Sequence, residues 1–92
     1  MNWSLKQTTQ FKKDLKRYLN QPDKMKALER ALISLANTGT VPQEFNPHPL
    51  SGNWSNHLEC HIKGDFLLIW YDKESGIIKL VRLGSHSELF GK

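Results

Sequence analysis

Apolar residues recur along this chain first with a helical period and then with a period of two. Asn2 to Gln7 reads as a short first strand, after which Thr8 or Thr9 is placed to cap a helix by accepting a bond from a free N–H of the first turn. Phe11, Leu15, Tyr18 and Leu19 then fall at i, i+4, i+7 and i+8, one helical face, while Lys12, Lys13, Lys16 and Arg17 take the remainder. Asn20-Gln21-Pro22 breaks this helix and opens a second, because proline is tolerated in a first turn. Met25, Leu28, Leu32 and Leu35 repeat at helical spacing with small Ala27, Ala31 and Ala36 between them, and Gly39 and Pro42 end the run. The two segments predict an antiparallel helical hairpin whose apolar stripes are core.

The period changes after an irregular stretch of about eighteen residues, Gly39 to Asn56, rich in Pro, Gly, Asn and Ser. Structureless loops of that length are uncommon in compact domains, and His48, Leu50 and Trp54 within it argue for a loop packed onto the domain. From His57 to Ile62 the pattern alternates, with Leu58, Cys60 and Ile62 toward the core and His57, Glu59 and His61 on a solvent-accessible face. Lys63-Gly64 suits a two-residue hairpin turn, setting His61 near Phe66. Phe66 to Tyr71 is a continuous apolar strand, Asp72 to Gly76 the next turn, which brings Ile77 near Tyr71, and Ile77 to Leu83 the last strand. A tail follows, His86 to Lys92. The expected fold is α+β: an N-terminal strand and helical hairpin packed on an antiparallel β-sheet, one domain over residues 1–92.

Composition narrows the class of protein. With 38% apolar and 24% charged residues the chain reads as an ordinary globular domain. The single cysteine, Cys60, allows no internal disulfide, and the longest apolar run, Phe66 to Tyr71, is six residues. A cytoplasmic protein without a membrane segment is expected. The net charge of +4 favours an acidic partner such as nucleic acid, a ribosome or an acidic protein. Eight basic residues against three acidic ones lie between Lys6 and Arg30, so the first third supplies most of the positive field.

Candidate chemistry lies in the four histidines, all between residues 48 and 86. His57 and His61 are four apart, but on a strand that separates their Cα atoms by roughly 13 Å, too far to share one zinc, and no metal or other cofactor is expected. Glu59 and His61 stand side by side on one strand face with Asp65 just past the turn, and a carboxylate beside an imidazole favours the imidazolium. An ordinary polar sheet face is the competing reading of this segment alone. In a meander Arg82 and Leu83 return to the sheet end that holds His61, and His86 follows a Gly-Ser bend; the long loop allows His48 to reach this end but does not require it. Cleavage of RNA by its own 2′-hydroxyl needs a base, an acid for the leaving 5′-oxygen and a cation for the phosphate, which such a set supplies. Phe90 or Trp54 offers a surface for a base, although core packing is the expectation for Trp54.

Four stretches, His48 to Trp54, Glu59 to Ile62, Asp65 to Trp70 and Val81 to Phe90, closely resemble the YafQ-like branch of the RelE/ParE toxin superfamily, in order and over nearly half the chain. The resemblance implies a RelE-like fold and a type II toxin–antitoxin toxin. Its implied activity is a metal-independent mRNA interferase acting on ribosome-bound messenger RNA and silenced by a cognate antitoxin. By position it makes His48, His61, Asp65 and His86 the catalytic set, with His61 and His86 moving the protons and Asp65 orienting a histidine. Glu59, Arg82 and Phe90 become supporting residues, Arg82 holding the phosphate. The chain departs from the pattern at Leu58, where arginine is usual, at Gly64, where proline is common, and at Trp70, where tyrosine is common. The competing classes are a ParE-like gyrase poison, against which the histidine set argues, and a nucleic-acid-binding module without catalysis. An antitoxin with an acidic, partly disordered segment is expected to wrap the basic helices or cover the histidine face.

Overall fold

Thr8 governs how the N-terminal third is assembled. It ends the first strand, β1 (Ser4–Gln7), and its hydroxyl accepts the Phe11 N–H at 3.2 Å, capping the helix α1 (Thr9–Lys16). The same hydroxyl donates to the Leu80 carbonyl at 2.9 Å, fastening the helix start to a strand more than seventy residues away. In the computed structural model, which describes residues 2–74 and 76–91, α1 stops at Lys16. Leu19 therefore leaves the apolar stripe expected of it and is 62% exposed. The buried stripe is instead Phe11, Asp14 and Tyr18, so one acidic side chain occupies a core position.

The second helix, α2 (Pro22–Thr38), begins with proline in its first turn and buries Leu28, Ala31 and Leu35. Gly39 closes it in the left-handed region (φ 80°), its N–H donating to the Leu35 carbonyl at 2.9 Å. A Cβ there would lie 2.8 Å from the Trp3 ring, so glycine satisfies both the backbone and the packing.

The loop expected to be irregular contains two short 3₁₀ turns (Gln43–Phe45 and Gly52–Trp54) and, between them, a two-residue edge strand, β2 (His48–Pro49). Then come β3 (His57–Lys63), β4 (Phe66–Glu74) and β5 (Ile77–Gly84). The sheet order is β1-β5-β4-β3-β2; the meander is antiparallel as expected, while β1 joins β5 in parallel, so the whole sheet is mixed.

Two turns differ from expectation. The first hairpin turns at Gly64-Asp65, with Lys63 opposite Phe66 and a register shift that leaves His61 opposite Leu67. At the second, the strands run on: Tyr71 pairs with Lys79, and Ile77 lies opposite Glu74. Ser75, part of the turn expected there, lies outside the described residues. The tail is a helix, α3 (His86–Phe90), started by a reciprocal capping box between Ser85 and Glu88.

Both helices of the hairpin pack on one face of this sheet, against Leu58, Cys60, Ile62, Phe66, Leu68, Trp70, Ile78, Leu80 and Leu83. Alternate residues of the same strands face the other way, where Leu67, Ile69 and Leu89 form a smaller cluster joined by Leu50, Trp54, Val81 and Phe90. Among the described residues no helix is long and apolar enough to cross a membrane.

Candidate active site

The register of β2 builds the site. Because His48 pairs directly with Glu59, and Glu59 pairs with Ile69, which pairs with Arg82, these four residues form one row across the sheet. Two residues along β3, His61 falls in the next row, opposite Leu67 and, beyond it, Gly84.

Glu59 is 3% exposed, contrary to its expected place on an accessible surface, because β2 and the loop carrying Leu50 and Trp54 fold over that face. Its Oε1 lies 3.0 Å from Nε2 of His48 and 4.0 Å from Nε2 of His61, and its Oε2 is buried with no hydrogen-bond partner among the described residues. Nδ1 of His48 lies 2.9 Å from the Asn46 carbonyl. Both nitrogens of His48 thus lie beside oxygen atoms, which fixes the direction of the ring.

A second pair stands beside this trio. Nδ1 of His86 donates to Oδ1 of Asp65 at 2.6 Å, and the backbone N–H of His86 donates to the same oxygen at 3.1 Å. The His86 backbone bond first, and its ring second, hold the Asp65 carboxyl below the usual carboxylate range. Fixing Nδ1 as donor leaves Nε2 of His86 to accept or give a proton. The rings form a chain, with centroids 5.8 Å apart from His48 to His61 and 6.0 Å from His61 to His86. Phe90 continues it, 6.0 Å from His86.

Four residues expected to be catalytic, His48, His61, Asp65 and His86, are therefore gathered at one end of one face, with Glu59 and Phe90 among them. Arg82 is placed differently from the expected phosphate ligand. Its Nε and Nη2 donate to Asp14 at 2.8 and 3.3 Å, and only 19% of its side chain is exposed. The Leu83 N–H also donates to Asp14, at 3.0 Å. Burial opposes the charge on Asp14, but the bonds from Arg82, Leu83 and Gln10 outweigh it and keep the carboxyl below its ordinary range.

A second brace from α1 reaches α3. Glu88 accepts from the Tyr18 hydroxyl and from the Ser85 N–H, and its other oxygen lies 3.5 Å from Arg17. The Tyr18 and Ser85 bonds hold the Glu88 carboxyl below its ordinary range, while burial and Glu88 together push the Tyr18 phenol up to about 12. A Cβ at Gly84 would come 2.6 Å from Oε1 of Glu88, so the brace requires glycine at that point. His86, one residue into α3, is thus set by contacts running back to residues 14–18.

Asp14, Tyr18 and Glu88 were not singled out by sequence, although two signals point to them. Position 14 lies on the apolar stripe of Phe11 and Tyr18, where a carboxylate needs a partner. Ser85-x-x-Glu88 is a capping-box spacing. Cys60 faces the core, and burial first, then the Glu59 charge, pushes its thiol up to about 12, which leaves no thiolate for nucleophilic work.

His48, Glu59 and His61 also bring three potential metal ligands within 4.8 Å of one another. The expectation against a metal considered His57 with His61 and did not foresee His48 completing a set through β2. Two imidazoles and a buried carboxylate suit a borderline divalent ion.

A family profile described as bacterial toxin of type II toxin-antitoxin system, YafQ, matches residues 3–91. The mRNA interferase toxin YafQ of Escherichia coli (strain K12) is 33% identical over 85 residues, 89% of each chain. The crystal structure of the E. coli DinJ-YafQ toxin-antitoxin complex contains a chain that superposes with a TM-score of 0.84 at 26% identity, covering 99% of this chain and 100% of that one. A metal-bound toxin from Helicobacter pylori superposes with a TM-score of 0.82 at 36% identity, covering 98% of this chain and 100% of that one.

Proposed function

This chain belongs to the YafQ family of type II toxin–antitoxin toxins, and we propose that it is an endoribonuclease cutting messenger RNA on the ribosome by histidine-driven proton transfer. The observation that carries this reading is the convergence of three histidine rings and two carboxylates at one end of the open sheet face. One of His61 and His86 takes the proton of the 2′-hydroxyl, whose oxygen then attacks the adjacent phosphorus. The other gives a proton to the departing 5′-oxygen, so the products are a 2′,3′-cyclic phosphate and a 5′-hydroxyl. Asp65 fixes the tautomer and direction of His86. His48, beside Glu59, lines the site next to His61, while Arg82, bound to Asp14, braces the end of β5.

Metal bound to His48, Glu59 and His61 would occupy the His61 nitrogen that the proton transfer uses. Metal-independent cleavage therefore predicts that EDTA leaves the activity intact while added zinc suppresses it, read on a labelled RNA. The antitoxin complex of the E. coli relative supports a cognate antitoxin for this chain as well. Primer extension on a reporter messenger RNA, with and without ribosomes, tests the whole reading. Discrete cuts that require ribosomes and disappear in His86→Ala are expected. Absence of cuts in both conditions would turn the reading toward a gyrase poison or a binding module.

A further inference from the structure

The fourth histidine takes no part in the site, and its position points elsewhere. His57 stacks on Tyr71 with ring centroids 5.1 Å apart and planes at 26°, and Trp54 meets it edge-on at 5.3 Å. Trp54 in turn meets Phe90 at 5.9 Å, and Phe90 meets His86 at 6.0 Å. An unbroken path of rings therefore leads from the acid–base histidines to the far end of β3. Each ring on it other than that of the exposed His86 is half-buried, so edges and parts of faces remain accessible.

Strand register extends this path with cations. His57 pairs with Tyr71, Tyr71 with Lys79, and Lys79 with Lys6, one row across four strands. Paired residues share a face, and the residues beside them, Leu58, Trp70, Ile78 and Leu5, pack on the helix side. The row Lys6–Lys79–Tyr71–His57 thus lies on the same face as Glu59 and His61, about 13 Å along the strand from His61. Helix α1 packs on the opposite side of the sheet, and the cations of this row are Lys6 and Lys79.

We propose that this strip is a subsite for the single-stranded RNA flanking the cut, with bases stacking on the His57, Tyr71 and Trp54 rings and phosphates held by Lys6 and Lys79. Aromatic faces interleaved with cations, in a line that ends at the reacting groups, suit a flexible polyanion carrying π-faces. An acidic peptide would use the lysines and leave the rings idle. The proposal rests on the nuclease reading for its direction, because the strip leads away from His61 and His86.

The test is equilibrium binding of a short fluorescent single-stranded RNA carrying 2′-O-methyl groups, which cannot be cut, measured by anisotropy over a range of salt. Tyr71→Leu is expected to weaken binding roughly fivefold or more. The double variant Lys6→Ala, Lys79→Ala is expected to lower the slope of log K against log salt by about 1.4, two phosphates' worth on a single strand. Both variants should keep the parent's unfolding midpoint. Parent-like binding and salt slope in the lysine double variant would overturn the strip while leaving the nuclease reading intact. Weakened RNA binding in a protein that cuts nothing would uphold the strip and remove the nuclease. If the variants bind RNA normally but lose affinity for a poly-glutamate peptide, the surface is a protein-docking face and the proposal falls.

Discussion

The two faces of the sheet are made from alternate residues of the same strands, yet they are constructed on different principles. Toward the helices, Leu68, Trp70, Ile78, Leu80 and Leu83 are at most 2% exposed and belong to the large cluster under α1 and α2. On the other face a small cluster around Leu67 and Ile69 fills the middle, and ionisable or aromatic side chains take both ends. Burial of apolar area secures the first face, whereas hydrogen bonds and short loops hold the second in geometry. The open face can therefore carry closely spaced titratable groups, because the domain does not depend on it for most of its burial.

Substitutions on the two faces should separate activity from stability. His86→Ala is expected to lower cleavage about 10²–10⁴-fold with no change in unfolding midpoint, measured by single-turnover kinetics beside thermal melts. Leu68→Ala on the helix side should cost about 2–5 kcal/mol in denaturant unfolding, and the fraction that remains folded should cleave normally. Asp14→Asn bridges the faces and should cost about 1–3 kcal/mol. Because the Asp14 carboxyl is held below its ordinary range, its contribution is fully present above the unfolded value and is lost as pH falls through the folded one. The gap between parent and variant should accordingly be widest at neutral pH and close below about pH 4, as urea titrations at several pH values would reveal. Ser85→Ala removes half of the capping box and should cost about 1 kcal/mol. It should also loosen α3 enough to lower cleavage severalfold by mispositioning His86.

Apolar patterning located the helices and the meander, since Leu28, Leu35 and Cys60 fall on regular stripes, and Leu68 in a continuous apolar run, that burial reproduces. What it could not carry were interactions between distant segments. β2 is two residues long and exists through its pairing with β3, so nothing local in His48-Pro49 marks it as a strand. That pairing buried Glu59 and brought His48 within reach of its carboxylate. Leu19 misled for a related reason: a stripe extrapolated past Lys16 assumes the helix continues, and the chain turns there to enter α2. The roles expected of His61, Asp65 and His86 rested on family pattern, and their proximity came from the hairpin register and the Ser85 cap.

The parallel pairing of β1 with β5 has a consequence for how the domain forms. Ser4 meets Ile77 and Gln7 meets Leu80, contacts that span some four-fifths of the chain. Thr8 and Asp14 likewise take partners from β5. Loop closure over such distances is slow and follows the local helices and hairpins. During synthesis the first strand must wait for β5 to emerge, and His86 emerges later still. The nascent chain therefore holds helices before it holds a sheet, and it completes the sheet and the histidine cluster in nearly the same step.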